Sequence, residues 1–317
     1  MTGTLNKDAT GRADKTGIRD SSNMLARLLI TPAILYITAL IGVPFTMAVF
    51  YSLSDITTGD PTFHFVGLQN FRAILADPVF RISLKNTILF ALTSQAFVIV
   101  LSRILATALM AEFKGKWLVR FLVMLPWTAP ISLGAIGWLW MFDSIFSPFD
   151  WLLRRAGLLG TPHALFGNMQ NLYWLGEPSL AMASVILVHV WRLLPLATVI
   201  QLAGLSSISK EILEAAEVDG ARAWRRTVEI TIPLTLPIIS IAFLFGLVFT
   251  FTDMTVVYVL TRGGPVHATQ VLATWTFLKG IEGGDLAQGA AVSLFLFPVL
   301  AGVAALMLRL ARRSEVV

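Results

Sequence analysis

Six stretches of this 317-residue chain run for more than twenty residues with almost no charge. They lie at about 28–52, 86–110, 121–142, 180–205, 236–260 and 287–308, and the charged side chains inside them are Arg103, Arg192 and Asp253. Roughly 20 apolar residues cross the ~30 Å hydrocarbon core of a bilayer as a helix. A charge at its centre costs several kcal/mol, so this sorting predicts an all-α integral membrane protein with six transmembrane helices. Composition agrees: 14% of residues are charged and 56% hydrophobic, where soluble domains carry about 25% charge. The first stretch is too long for the apolar region of a signal peptide, and no small-residue cleavage site follows it. It reads as a retained span. Residues 1–27 read as a disordered cytoplasmic tail, 28–310 as the membrane domain and 311–317 as a second cytoplasmic tail.

Lysine and arginine set the orientation. With the N-terminus inside, the segments 1–27, 111–120, 206–235 and 309–317 face the cytoplasm and hold fifteen of the 24 basic residues. The three opposite segments hold seven. Both termini are therefore expected in the cytoplasm. The net charge of +5 is spread along one side of a membrane. A nucleic-acid binder would gather it on a soluble face, so no nucleic-acid partner is expected. The absence of cysteine removes disulfides, thiolate metal ligands and thiol nucleophiles.

Pro44, Pro126, Pro130, Pro195 and Pro298 fall within the spans. Proline kinks a helix, and in membranes neighbouring groups satisfy the freed carbonyl. Gly134 and Gly137, and Ala290 and Ala291, would allow close helix approach. Bent helices around a central route suit transport, but proline and glycine are common in membrane helices generally. Outside the spans, Asn70 is expected to cap a short helix over 71–76. Asp77-Pro78 should open another, with aspartate as the cap and proline at the first helical position. Trp138, Trp140, Trp151, Tyr173 and Trp174 gather near the outer ends of spans, where an interfacial aromatic belt explains them. Sugar stacking is the other use for such residues.

The connection at 206–235 is long and is not a polar linker. Ser209 can cap a helix in which Ile212, Leu213, Ala215, Ala216 and Val218 form an apolar set beside Glu214 and Glu217. Gly220 supplies a left-handed stop. A second short helix is expected from 221 to about 230, ended by Pro233. Two short helices joined at a glycine make a knob that can dock into a groove on a partner.

The spaced set Glu214-Ala215-Ala216, Asp219-Gly220-Ala221 and Ile230-Thr231-Ile232-Pro233 resembles the "EAA" loop of binding-protein-dependent ABC importer permeases. Phe65-Val-Gly-Leu-Gln-Asn-Phe71, Leu125-Pro126, Trp191-Arg192 with Pro195, and Leu260-Thr-Arg-Gly-Gly-Pro265 look like the carbohydrate-uptake, maltose-type branch. The resemblance covers roughly 28–310. Ser209 departs from it where proline is frequent, and Thr227 and Val228 where an aromatic and a basic residue are common. The resemblance implies a type I ABC importer permease fold in a bacterial or archaeal inner membrane. It implies four kinds of neighbour: a second homologous permease, two ATP-binding subunits that hold ATP and Mg, an extracytoplasmic solute-binding protein and membrane lipid. It also implies that the 214–220 helix couples to an ATPase, with Glu214 at the interface and Gly220 at the turn.

No phosphate loop of the form G-x-x-x-x-G-K-[ST] occurs in the chain, so it is not expected to hydrolyse ATP or to carry a cofactor itself. His64, His163, His189 and His267 lack metal-ligand spacing. Arg192 and Asp253, inside spans, either fix helix packing as a buried pair or line a polar route. On the second reading Trp191, Arg192, Thr252, Asp253 and Tyr258 are the solute contacts. His189 could face that route or serve packing. Arg103 lies near the cytoplasmic end of its span, where it can snorkel, and is assigned no role. The expected cargo is a mono-, di- or oligosaccharide. Glycerol-3-phosphate or a polyol is the alternative, with Arg192 or Arg262 as a phosphate partner. A secondary transporter would need further intramembrane carboxylates, and a membrane enzyme a clustered catalytic set.

Overall fold

The computed structural model describes residues 27–314, excluding the side chains at 307, 308 and 310–314. Residues 1–26 of the expected first tail, and 315–317 of the second, lie outside this range. Apart from a bridge between Ser54 and Phe65, the regular structure of the described residues is helical. In order the helices are α1 (Arg27–Ser52), α2 (Gln69–Ala76), α3 (Pro78–Met110), α4 (Lys116–Thr128), α5 (Ile131–Met141), α6 (Pro148–Arg155), α7 (Pro178–Ser206) and α8 (Lys210–Val218). They continue with α9 (Ala223–Thr252), α10 (Thr255–Leu260), α11 (Leu272–Phe277) and α12 (Leu286–Ser314).

Five of these, α1, α3, α7, α9 and α12, are long and apolar enough to cross a membrane. The expected third span is not straight. Its two halves, α4 and α5, meet at 100°. Proline disfavours helical geometry in the residue before it. Ala129, ahead of Pro130, accordingly adopts φ −74° and ψ 143°. The expected fifth span also stops early. Asp253 is extended (φ −81°, ψ 115°), and its Oδ1 accepts the Thr255 backbone N–H at 2.9 Å. An aspartate that can bond nearby backbone offers the chain an alternative to continuing a helix, so α9 ends and α10 begins at Asp253.

Pro233 does the opposite of what its position suggests. It does not terminate a second short helix, because Ala223–Thr252 is continuous. A π-turn over Arg226–Thr231 immediately precedes it. The wider turn relieves the clash a proline ring makes with the preceding turn. The same device, a π-turn at Thr38–Gly42, stands just ahead of Pro44. Asp77 caps α3 as expected, accepting the Val79 N–H at 2.9 Å. Asn70 does not cap α2, whose cap position is Leu68. Its amide instead donates back to the carbonyls of Ser52 and Ser54, at 2.9 and 2.6 Å.

The most extensive packing is between α3 and α7, with α9 against both and α12 against α9 and α1. Ile74, Phe80, Ala91, Leu247, Leu272 and Ala291 belong to one core cluster. Phe90, Phe142, Val185, Val188 and Val257 belong to a second. Apolar residues of α1, including Leu35, Ile37 and Leu40, are exposed, as lipid contact requires. Helix α3 is polar on its inner face: Ser83, Asn86, Thr87, Ser94, Gln95, Ser102 and Arg103 are all buried. These residues recur at three-, four- and seven-residue intervals, which places them on one side of a helix. Gly134 does receive a close neighbour, since a Cβ there would sit 3.3 Å from the Trp191 ring. Gly137 does not, having no atom within 4 Å.

The aromatic residues divide into two groups. Trp138 and Trp174 pack with Phe142 and Phe149, with ring centroids 5.5–6.0 Å apart. The Trp174 indole donates to the buried Asp150 at 2.9 Å. Trp140, Trp151 and Tyr173 are exposed, the placement a belt residue needs.

Candidate functional site

Helix α8 projects from the bundle. Among the described residues it packs extensively against no other helix, and Ala216 is its one buried residue. Ser209 occupies the cap position with extended geometry, but its hydroxyl makes no capping bond. The other end is closed in full. Gly220 is left-handed (φ 76°). Its N–H donates to Glu217 O at 3.0 Å, and Ala221 N–H donates to Ala216 O at 2.9 Å. This pair of bonds is a Schellman closure, and its left-handed residue favours glycine. It brings the Ala221 backbone up against Ala216.

Of the other motif residues, Glu214, Ala215 and Asp219 are exposed on α8 and its end, and Pro233 is exposed further along α9. Ile212, Val218 and Trp224 present apolar surface, the last two 88% and 79% exposed. Glu217 reaches across the turn to Arg226 at 2.9 Å. Two backbone bonds therefore fix the turn that leads out of α8, and an ion pair joins α8 to the start of α9.

A second feature lies inside the bundle. Arg192 of α7 pairs with Asp253 at the α9–α10 break. The Asp253 side chain is 7% exposed. His189, one turn before Arg192, is fully buried, with Nδ1 3.4 Å from the same carboxylate oxygen. Its Nε2 lies 2.9 Å from the Thr250 hydroxyl, which also accepts the Gln95 amide at 2.9 Å. Three helices thus meet on a five-residue polar centre. Burying one charge alone is expensive, and burying it paired and hydrogen-bonded is tolerable.

The structure brings Arg192 and Asp253 together but not the other three proposed solute contacts. Trp191 turns to Gly134 and to Trp138, its ring 5.6 Å from the latter. Thr252 is exposed, and its hydroxyl bonds its own helix at Val248 O, 2.8 Å away. It borders a groove of about 360 Å³ beside Phe45 and Phe297. Tyr258 belongs to a different group. Its hydroxyl donates to Glu282, which also pairs with Arg262. The Arg262 guanidinium lies 5.1 Å over the Tyr258 ring.

Sequence reasoning passed over Gln95, Thr250, Gln201 and the partners of Arg103. Arg103 does not snorkel: it is 8% exposed and donates to the hydroxyls of Thr231 and Thr235 on α9. The available signal was the recurrence of polar residues on one face of an apolar stretch.

Known proteins share both sequence and fold with this chain. The model of the family described as "binding-protein-dependent transport system inner membrane component" matches residues 98–315. The sulfoquinovosyl glycerol transport system permease protein SmoG of Agrobacterium fabrum is 30% identical over 92% of each chain. The trehalose/maltose transport system permease protein MalF of Thermococcus litoralis is 29% identical over 91% of this chain and 94% of its own. The sn-glycerol-3-phosphate transport system permease protein UgpA of Agrobacterium fabrum is likewise 29% identical over 91% and 94%. A bacterial ABC transporter involved in the import of the acidic polysaccharide alginate superposes with a TM-score of 0.76. That match covers 94% of this chain and 99% of the other at 20% identity. A secondary transporter or a membrane enzyme is not what these likenesses describe. The chain belongs to the binding-protein-dependent transport system inner membrane component family, and is a multi-pass permease of the ABC importer class.

Proposed function

We propose that this permease forms half of the pathway of an ATP-driven importer for a neutral sugar. The projecting, glycine-closed helix α8 carries the reading. It offers Ile212, Val218 and Trp224 as apolar anchors and Glu214 as a polar contact for a cleft on an ATPase subunit. A second permease completes the pathway, two such subunits bind ATP and Mg, and an extracytoplasmic binding protein delivers the solute. The basic bias of segments 1–27, 111–120, 206–235 and 309–317 puts α8 and both termini in the cytoplasm. ATP binding closes the ATPase pair, α8 moves with it, and the joined start of α9 takes that motion into the bundle.

The relatives are named for trehalose/maltose, sulfoquinovosyl glycerol and sn-glycerol-3-phosphate, and the solved structure for an acidic polysaccharide. Neutral and anionic cargoes both occur among them, so the cations of this chain have to decide. The two arginines that could bind a phosphate are each already held by a carboxylate, Arg192 by Asp253 and Arg262 by Glu282. An anionic solute would have to displace one of them. A neutral sugar needs no cationic partner and leaves both pairs intact, with the exposed Thr252 as a hydroxyl partner on the groove side.

Uptake by the assembled complex tests the cargo. Neutral mono-, di- and oligosaccharides and glycerol-3-phosphate are offered in parallel to proteoliposomes containing the binding protein. A neutral sugar should be accumulated, and excess glycerol-3-phosphate should not compete. Accumulation of glycerol-3-phosphate in preference to every sugar would contradict the proposal.

A further inference from the structure

Adjacent residues of α3 tie down both stems of the α8 loop. On one side, the Gln201 amide of α7 donates to the Ser102 hydroxyl and to the Ile99 carbonyl, the latter at 2.9 Å. Gln201 lies little more than a turn before α7 ends at Ser206. On the other side, Arg103 donates to Thr231 and Thr235 of α9, the latter at 3.0 Å. Those two threonines straddle the junction between the π-turn and the regular part of α9. Arg103 forms no ion pair among the described residues, and its Nε has no hydrogen-bond partner.

Helix packing alone does not require this arrangement. A buried guanidinium without a carboxylate is costly, and methionine would fill the space more cheaply. The stems already approach closely without it: a Cβ on Gly204 of α7 would lie 2.9 Å from Ile238 of α9. What Arg103 adds is a two-pronged, directional link to the one segment of α9 whose helical turn is irregular. π-turns within helices recur at functional positions. Arg226, inside this one, is held by Glu217 of α8. A continuous set of contacts therefore runs from α8 through Glu217 and Arg226, along the π-turn to Thr231 and Thr235, and through Arg103 into α3.

We propose that Arg103 is a positioning residue for coupling. It clamps α9 to α3 so that displacement of α8 moves α3, α7 and α9 together. This rests on the reading that α8 docks on an ATPase. The clamp makes no contact with ATP or solute.

The test is the amount of solute imported per ATP hydrolysed by the assembled importer in proteoliposomes. Arg103→Met should lower that ratio about tenfold, the scale of a lost charged hydrogen bond. Arg103→Lys, which can reach one hydroxyl but not grip two, should lie between. Thr231→Val with Thr235→Val should reproduce the methionine phenotype and add little to it when combined. A merely structural role would reduce the quantity of assembled complex while leaving the ratio unchanged. An unchanged ratio in assembled Arg103→Met, or additive effects of the two sets, would overturn the clamp. Gly220→Pro separates this from the underlying reading. If it abolishes import while Arg103→Met keeps a normal ratio, only the clamp fails. If Gly220→Pro also imports normally, the docking of α8 fails with it.

Discussion

Gly220→Pro is expected to abolish ATP-driven uptake while leaving the chain inserted in the membrane. Gly220 sits at φ 76°, and proline is confined to about −65°. The substitution also deletes the N–H that donates to Glu217 O at 3.0 Å. Without that turn α8 leaves its orientation relative to α9, and the Glu217–Arg226 pair has no fixed geometry. No atom would lie within 4 Å of a Cβ at this position, so the effect is one of backbone conformation rather than collision. Gly220→Ala supplies the graded control. A left-handed alanine costs roughly 1–2 kcal/mol, which leaves the turn populated and uptake reduced rather than lost. Immunoblotting of membranes checks insertion, and solute uptake reads function. Undiminished uptake by the proline variant would remove α8 from the mechanism.

The second large effect is expected at the buried ion pair. Asp253→Asn keeps an oxygen that can cap α10 through the Thr255 N–H but leaves Arg192 without a counter-charge. Breaking one side of a buried pair costs about 3–5 kcal/mol. A chain of this size should then unfold on the order of 10 °C lower in detergent. Adding Arg192→Met to Asp253→Asn removes the stranded charge and should recover most of the loss. If the single substitution leaves the unfolding temperature unchanged, the pair is not holding α7 to the α9–α10 break. His189, 3.4 Å from the carboxylate oxygen, does not rescue the single variant, because an imidazole has no negative charge to offer Arg192.

How much of this could be read beforehand depended on whether the cause was local. The Gly220 turn was legible because the Schellman closure is built from consecutive residues and its left-handed position favours glycine. The Asp77-Pro78 start of α3 was legible for the same reason. The membrane class was legible because the energetic penalty on intramembrane charge acts on every residue of a span.

Direction was not legible. Hydropathy across 121–142 is continuous, and nothing in an average shows that Ala129-Pro130 turns the chain by 100°. Pro233 read as a stop because proline alone stops helices, whereas the π-turn upstream absorbs it. Asn70 reaches carbonyls eighteen and sixteen residues back, which depends on where α1 ends in space. The same holds at the candidate site. Arg192 and Asp253 were paired correctly as one of two readings. Thr252 and Tyr258 were placed beside them by sequence proximity, although a helix turns its neighbours to other faces and Asp253 ends the helix between them. The role of Arg103 is not legible locally, because its partners, Thr231 and Thr235, lie more than 120 residues further along the chain.

The central claim is that solute moves through this permease only when ATPase subunits drive it through α8. The most direct measurement compares proteoliposomes holding the permease pair alone with proteoliposomes holding the full importer, each with binding protein, solute and ATP. Accumulation against a gradient in the full importer, and none in the permease pair, is the predicted result. Sustained accumulation by the permease pair without ATPase subunits would contradict it.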